Sequence, residues 1–348
     1  MSSAVEVTAS ENLTSQADMV LEPKDRLNHI PLSNVDSPNV DLPENRKNRK
    51  RNLSLKDKLP SVTEQKDESD WPYELVLVRH GQSEGNEAVS RSKLGDLSAY
   101  TPDFQKKHSS SYRLTDKGIA QAKLTGTYLR DKIGDHYDRY YTSEYVRAME
   151  TAALLDLPEA QWYTEITLRE RDKGLLDNVS WIERNEKYAD EMRRRKRDAF
   201  FWAPPGGESL AQICQRIDHT MTTLRRDCSK KKVLIVCHGE IMWGFRVRLE
   251  RLSQIRFHQM TSSGDMKDKI HNTQILQYTR VHPKTGQVYP VFKFMRSICP
   301  WKPEYGSEEW LEFERPTYSN EDLMHSVQTV PRFVNNNKPP ESEEDVDY

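Results

Sequence analysis

ELVLVRHGQSEGN, Glu74 to Asn86, begins as an apolar run and ends on a cation, an imidazole and a glycine. Leu75 to Val78 read as a strand buried on both faces, because alternation of apolar and polar residues is absent. The pattern recurs at KVLIVCHGE, Lys232 to Glu240, where a second buried strand ends on His238-Gly239. Helical patterns lie between them. In LTDKGIAQAKLTGTYLRDKIG, Thr115 is placed as an N-cap, Ile119, Ala122, Gly126, Leu129 and Ile133 share a face, and Gly134 suits the C-terminal cap. DRYYTS is a short strand, and EYVRAMETAALL (Glu144 to Leu155) reads as a helix capped by Ser143. GESLAQICQRIDHTMTTLRRDC is a long amphipathic helix, preceded by a polar stretch, Glu165 to Pro205, with short helices. TQILQYTRV and VYPVFKFMR are expected to form a hairpin around HPKTGQ. Strands alternating with helices give an α/β sandwich, in which ligands bind at the carboxyl ends of the strands. Both His-Gly steps fall there.

The 348 residues are 35% hydrophobic and 30% charged, which fits a large domain with tails. Residues 1–70 hold no aromatic, glycine or cysteine and are expected to be a disordered N-terminal tail. Its basic cluster, Arg46 to Arg51, followed by Ser54 as a candidate phosphoacceptor, reads as a solvated charge run or a nuclear-localisation site. Residues 71–300 are taken as the catalytic domain, and 301–348 as a Pro- and acid-rich extension, disordered at its end. A net charge of -2 argues against a nucleic-acid partner. Four cysteines without a C-x-x-C pair, no secretory signal and no run of roughly 18 apolar residues point to a soluble, cytoplasmic protein with no membrane span. A homodimer is left open.

Arg79, His80, Arg147 and His238 all fall at strand ends or a first helical turn. Two cations, two imidazoles and a helix N-terminus suit a small, multiply charged anion such as phosphate. Gly81 and Gly239 would let the backbone approach it. No metal is expected, because an arginine adjoins one histidine and no acid sits beside either at a familiar ligand spacing. Taken singly, each histidine is more simply a structural residue and each arginine an ion-pair partner. The combination carries the reading.

VRHGQSEGN resembles the R-H-G signature of the histidine phosphatase superfamily, whose fold is that of the phosphoglycerate mutases. LTDKGIAQA (Leu114 to Ala122), YTSEYVRAMETA (Tyr141 to Ala152), TLRERDKGLLDN (Thr167 to Asn178), PPGGES (Pro204 to Ser209) and VCHGEIM (Val236 to Met242) are similar to the family's further motifs, in order. The resemblance implies a three-layer α/β/α sandwich with a central, mostly parallel sheet. It also implies a phosphohistidine-forming enzyme that needs no cofactor and acts on a phosphorylated small molecule. His80 would be the nucleophile. Arg79, Arg147 and His238 would hold the phosphoryl oxygens, with Asn86, Ser83 and Gly239 in the phosphate-binding set. Glu170 would be the proton donor, with Asp172 as the alternative. Protonated Glu170 and neutral His80 together imply a bell-shaped pH profile on the acidic side.

Mutase and phosphatase share that intermediate. Gly85 stands where the mutases carry Trp, and the segments around LRERD and PPGGES look closer to the phosphatase branch, so a phosphomonoester hydrolase is expected. Phosphoglycerate mutase-type transfer is the alternative, and a silent phospho-ligand or protein-binding module a third. Arg193, Arg194, Arg195 and Arg197 lie in the region that covers the site in the family. One of them, Arg194 being the choice, is expected to contact a second anionic group of the substrate, the rest forming a solvated face.

Overall fold

The computed structural model describes residues 69–332 and 334. The expectation of a disordered N-terminal tail, the basic cluster and the end of the C-terminal extension lie outside them. Seven strands form one sheet: β1 (Glu74–Arg79), β2 (Arg139–Thr142), β3 (Trp162–Thr164), β4 (Lys232–Cys237), β5 (Ile275–Thr279), β6 (Phe294–Ile298) and β7 (Ser307–Glu312). Their order is β3-β2-β4-β1-β5-β6-β7. The β3-β2-β4-β1 block is parallel, and β5, β6 and β7 extend it antiparallel.

Strand β1 shows why its sequence does not alternate. Leu75 and Leu77 pack on one face with Ile213, Ile217 and Phe245, from the helices Leu210–Asp227 and Gly239–Leu249. Val76 and Val78 pack on the other with Ala148, Ala152 and Leu129. Helices therefore cover both faces, and the sandwich has three layers. Each buried leucine or valine side chain contributes about 1.5–3 kcal/mol relative to exposure. All four cysteines are buried and free.

The helix Asp116–Tyr128 starts where expected, with Thr115 accepting from the Gly118 amide. Ser209 caps Leu210–Asp227 in a reciprocal box with Gln212. The helix carrying Arg147 differs: it runs Val146–Leu154 and has Tyr145 as N-cap. The Ser143 hydroxyl accepts from the Tyr145 amide at 3.3 Å instead of from the first turn, and it has a second, buried partner described below. The β5–β6 hairpin forms and turns at HPKTGQ, where Val281 bridges Val288 and His282 N donates to Gln287 O at 2.8 Å; the regular strands end earlier, at Thr279 and Phe294. Strand β7 pairs with β6, so the sheet continues past residue 300, where the sequence suggested the domain's end.

Two glycines face one another beside the first motif. A Cβ on Gly81 would lie 2.5 Å from the Gly118 carbonyl oxygen, and one on Gly118 would run into the Gln82 carbonyl oxygen. Gly118→Ala is accordingly expected to destabilise the protein by about 1–3 kcal/mol, the range for overpacking a filled site. A denaturant midpoint equal to wild type would contradict this packing.

Candidate active site

The register of β1 and β4 sets the site. Arg79 pairs with Cys237, so His80 and His238 leave the sheet side by side, their ring centroids 5.1 Å apart. Both rings are buried, and the backbone holds them: His80 N donates to Cys237 O at 3.0 Å. Arg147 arrives in the first turn of its helix and is buried as well.

Two contacts fix the state of His80. Its Nδ1 lies 2.7 Å from Gly81 O, and its Nε2 lies 3.2 Å from Arg147 Nε. A carbonyl can only accept and a guanidinium N–H can only donate. The proton is therefore on Nδ1, and Nε2 presents a lone pair. Burial, then the charges of Arg147 and Arg79, hold the imidazole's pKa well below its ordinary 6.5. His238 is likewise held well below 6.5, first by burial and then by Arg147, His80 and Arg79. Its Nε2 meets Ser143 Oγ at 2.8 Å.

The rim is arranged for an anion. Arg79 donates to Ile270 O at 2.7 Å and Arg147 to Ser109 O at 2.7 Å. Arg79 Nε and His238 Nδ1 are buried without a hydrogen-bond partner among the described residues. Such groups cost free energy unless something binds them. Gly239 lets the Arg79 guanidinium lie against its backbone: a Cβ there would stand 3.4 Å from Arg79 Nε.

Glu170, half-buried, joins this group from a distant part of the chain. Ligand atoms of His80, Glu170 and His238 all lie within 4.8 Å of one another. The sequence offered no acid at a ligand spacing beside either histidine, but the resemblance named Glu170 as proton donor, and the fold brings it here. Donor spacing alone would suit a cation, but Arg79 and Arg147 share the rim and Arg147 donates into His80 Nε2, a field that favours an anion. Asp172, the alternative donor, is exposed and accepts from the Gly174 amide.

Ser83 and Asn86 are engaged in structure. They form a reciprocal capping box at Glu84–Lys93, and Asn86 Oδ1 also accepts from Asn272 Nδ2 at 3.0 Å. Asn272 Nδ2 reaches His80 O at 3.1 Å, tying the His80 backbone to that helix. Thr151 accepts from Gly81 N at 3.0 Å; the sequence assigned it and Ser143 no site role, and nothing in it marked Asn272.

Arg194 is placed elsewhere. It is exposed and pairs with Glu191 at 2.8 Å, three residues back on its own helix. The positions that line a cavity of about 120 Å³ beside the site are Arg195, Arg184, Arg171 and Lys173, with Trp202 and Glu240. Helical geometry decides this, because adjacent residues point about 100° apart. Lys173 is half-buried and has no ion-pair partner among the described residues. Burial pushes its pKa down against the opposing pull of Glu170, and Arg184 and Arg147 push it further.

Residues 75–265 match the family model for the histidine phosphatase superfamily, branch 1. The chain belongs to that superfamily. A 2,3-bisphosphoglycerate-dependent phosphoglycerate mutase of Methylobacterium radiotolerans is 32% identical over 186 residues, 52% of this chain and 80% of that protein. The 6-phosphofructo-2-kinase/fructose-2,6-bisphosphatase 1 of Rattus norvegicus is 28% identical over 171 residues, 49% of this chain and 31% of that protein. Among solved structures, the alpha-ribazole phosphatase from Shigella flexneri aligns with a TM-score of 0.47 and 19% identity, covering 63% of this chain and 95% of that one. As in the superfamily as a whole, a phosphorylated small molecule suits the rim. Among the described residues no helix is long and apolar enough to cross a membrane.

The depressed imidazoles set a pH expectation. A His80 held well below 6.5 stays neutral and nucleophilic under mildly acidic conditions, so the acid limb of kcat/KM due to His80 falls well below pH 6.5. Stability has the opposite cost. The unfolded chain protonates His80 and His238 near 6.5 while the folded chain does not, so stability declines as pH falls below that value. Each histidine contributes at most about 1.4 kcal/mol per pH unit. An acid limb of kcat/KM at or above pH 6.5 would contradict these depressed imidazoles.

Proposed function

We propose that the protein is a phosphomonoester hydrolase working through a phosphohistidine. The observation that carries this reading is the state of His80: a buried neutral imidazole with its proton on Nδ1 and its Nε2 lone pair among Arg79, Arg147 and His238. Substrate binding hands Arg147 Nε from His80 to a phosphoryl oxygen. Nε2 then attacks phosphorus. The P–O bond to the alcohol breaks, and Glu170 gives its proton to the leaving oxygen. Arg79, Arg147 and His238 offset charge on the equatorial oxygens. Water next attacks phosphorus, Glu170 accepts its proton, the P–Nε2 bond breaks, and phosphate leaves a neutral His80.

Hydrolysis rather than transfer is supported by Gly85. A Cβ there would lie 2.8 Å from the Tyr112 ring, so the Trp expected of the mutase branch has no room without moving Tyr112. The second reading is a mutase, favoured by the 32% identity to bisphosphoglycerate-dependent mutases. Supplying phosphoglycerates and other phosphomonoesters while following free phosphate and isomer together separates the two. A silent binding module predicts neither product.

Lys173, Arg184 and Arg195 also support a substrate with a second anionic group beyond the reacting phosphate. Lys173→Met is expected to raise KM about tenfold for phosphoglycerate-like substrates relative to p-nitrophenyl phosphate, the scale of one lost charge-assisted contact. Equal changes for both substrates would remove Lys173 from that role.

A further inference from the structure

A second cavity, of about 570 Å³, lies at the other end of the sheet. Trp71 precedes β1, Phe292 and Lys293 precede β6, and Phe294 pairs with Thr279 at the level of Glu74. The six residues of β1 separate this level from His80 by about 20 Å. Arg248 and Leu249, which also line the cavity, end the helix that starts at Gly239 in the catalytic rim.

Its wall joins aromatic rings to cations. Trp71 and Phe292 meet edge to face at 5.5 Å, and Phe313 lines the same cavity. Arg225 stands over the Trp71 ring at 5.5 Å. Five cations line the cavity, Arg225, Arg248, Arg251, Lys293 and Arg315, against two acids, Asp218 and Glu314. Arg225 pairs with Asp70, Arg248 with Asp218, and Lys293 with Glu312 and Glu314. Arg251 and Arg315 form no ion pair among the described residues.

Those two arginines also repel one another. Partial desolvation lowers the pKa of the exposed Arg251, and the charges of Arg315 and Arg248 lower it further, with Asp218 opposing. Arg251 sits at φ 56°, a left-handed conformation that a non-glycine residue adopts at a cost of order 1 kcal/mol. Like charges held close with too few acids are stabilised by a bound anion. Arginine suits phosphate, presenting paired donors, and stacks on flat rings.

We infer that this cavity is a second binding site, separate from the catalytic rim, for an organic phosphate with a flat or apolar body. Arg251 and Arg315 hold the phosphate and the Trp71–Phe292–Phe313 wall takes the body. Nucleoside phosphates belong to that class.

The test uses ATP and tripolyphosphate as probes, titrated calorimetrically into the full chain. His80→Ala is carried throughout to prevent turnover, and the titration is repeated with Arg147→Ala added, which weakens any binding at the catalytic rim. The expected result is saturable ATP binding that weakens at least tenfold in Arg251→Glu/Arg315→Glu and falls with added salt. Both arginines are exposed, so the fold should survive, and Arg251→Ala/Arg315→Ala repeats the test without charge reversal. Tripolyphosphate should bind more weakly than ATP, and Trp71→Ala should remove that difference. Absence of saturable binding, or ATP affinity unchanged in both double variants, overturns the proposal. Equal affinity for the two probes overturns the ligand class.

Discussion

His80→Ala abolishes phosphohydrolysis: kcat falls at least about 10⁴-fold, the scale seen when a nucleophile acting as part of a unit is removed. The same variant takes up no phosphoryl label from a labelled substrate, whereas wild type, quenched during turnover, carries label on that histidine. The size follows from geometry. Nε2 of His80 combines a lone pair, a neutral ring and adjacent guanidiniums. His238, the neighbouring imidazole, is bound through Nε2 to Ser143 and cannot substitute without losing that contact. Alanine at position 80 removes a buried ring, so the folded state must be verified by its thermal transition. Residual turnover within about tenfold of wild type, in a folded variant, would remove His80 from the mechanism.

Glu208→Ala is expected to be the most damaging change away from the reacting atoms. Its carboxylate accepts from Arg169 at 3.0 Å, from Arg216 at 3.0 Å and from the Asp172 amide at 2.9 Å. Arg216 also donates to Thr167 O and Arg169 O, and Arg171 to Glu208 O. One acid thus fastens the whole Thr167–Asp172 segment, which carries Glu170. Burial alone would raise the Glu208 pKa, but the Asp172 amide and the charges of Arg216 and Arg169 outweigh it and hold the carboxyl below its ordinary 4.5. Its contribution is therefore complete above pH 4.5 and is lost as pH falls through the lower folded value. Removing the acid leaves two arginines uncompensated. The expected loss is about 3 kcal/mol, the lower end for a broken buried pair, because Arg169 is 33% exposed. Loosening Glu170 should lower kcat about 100-fold as well. An unchanged urea midpoint would show that the network is not holding the segment.

Much of the site's placement was legible in the sequence because it sits where strands end. A buried strand followed by Arg79-His80-Gly81 can deliver those side chains only to the sheet's rim, and the second strand does the same with His238. Arg147 was legible from its place in a first helical turn. The side chains that hold the His238 ring and the His80 backbone in place were not. Ser143 read as a helix cap because its spacing fits one, and only tertiary packing reveals that His238 claims its hydroxyl. Asn272 lies nearly 200 residues from His80, and nothing local marks it. Arg194 failed for a different reason: among adjacent arginines on one helix, selection depends on rotation about the helix axis, which composition cannot supply. Strand β7 was hidden because the acids and prolines around it obscure the alternation an edge strand would show.

The central claim is that the phosphoryl group passes from His80 to water. The most direct measurement supplies 3-phosphoglycerate with a trace of bisphosphoglycerate, beside a panel of phosphomonoesters, and follows free phosphate and 2-phosphoglycerate in one reaction with His80→Ala as control. Phosphate release without 2-phosphoglycerate, lost in the variant, is the predicted result. Rapid 2-phosphoglycerate formation with little free phosphate would contradict it and make the protein a mutase.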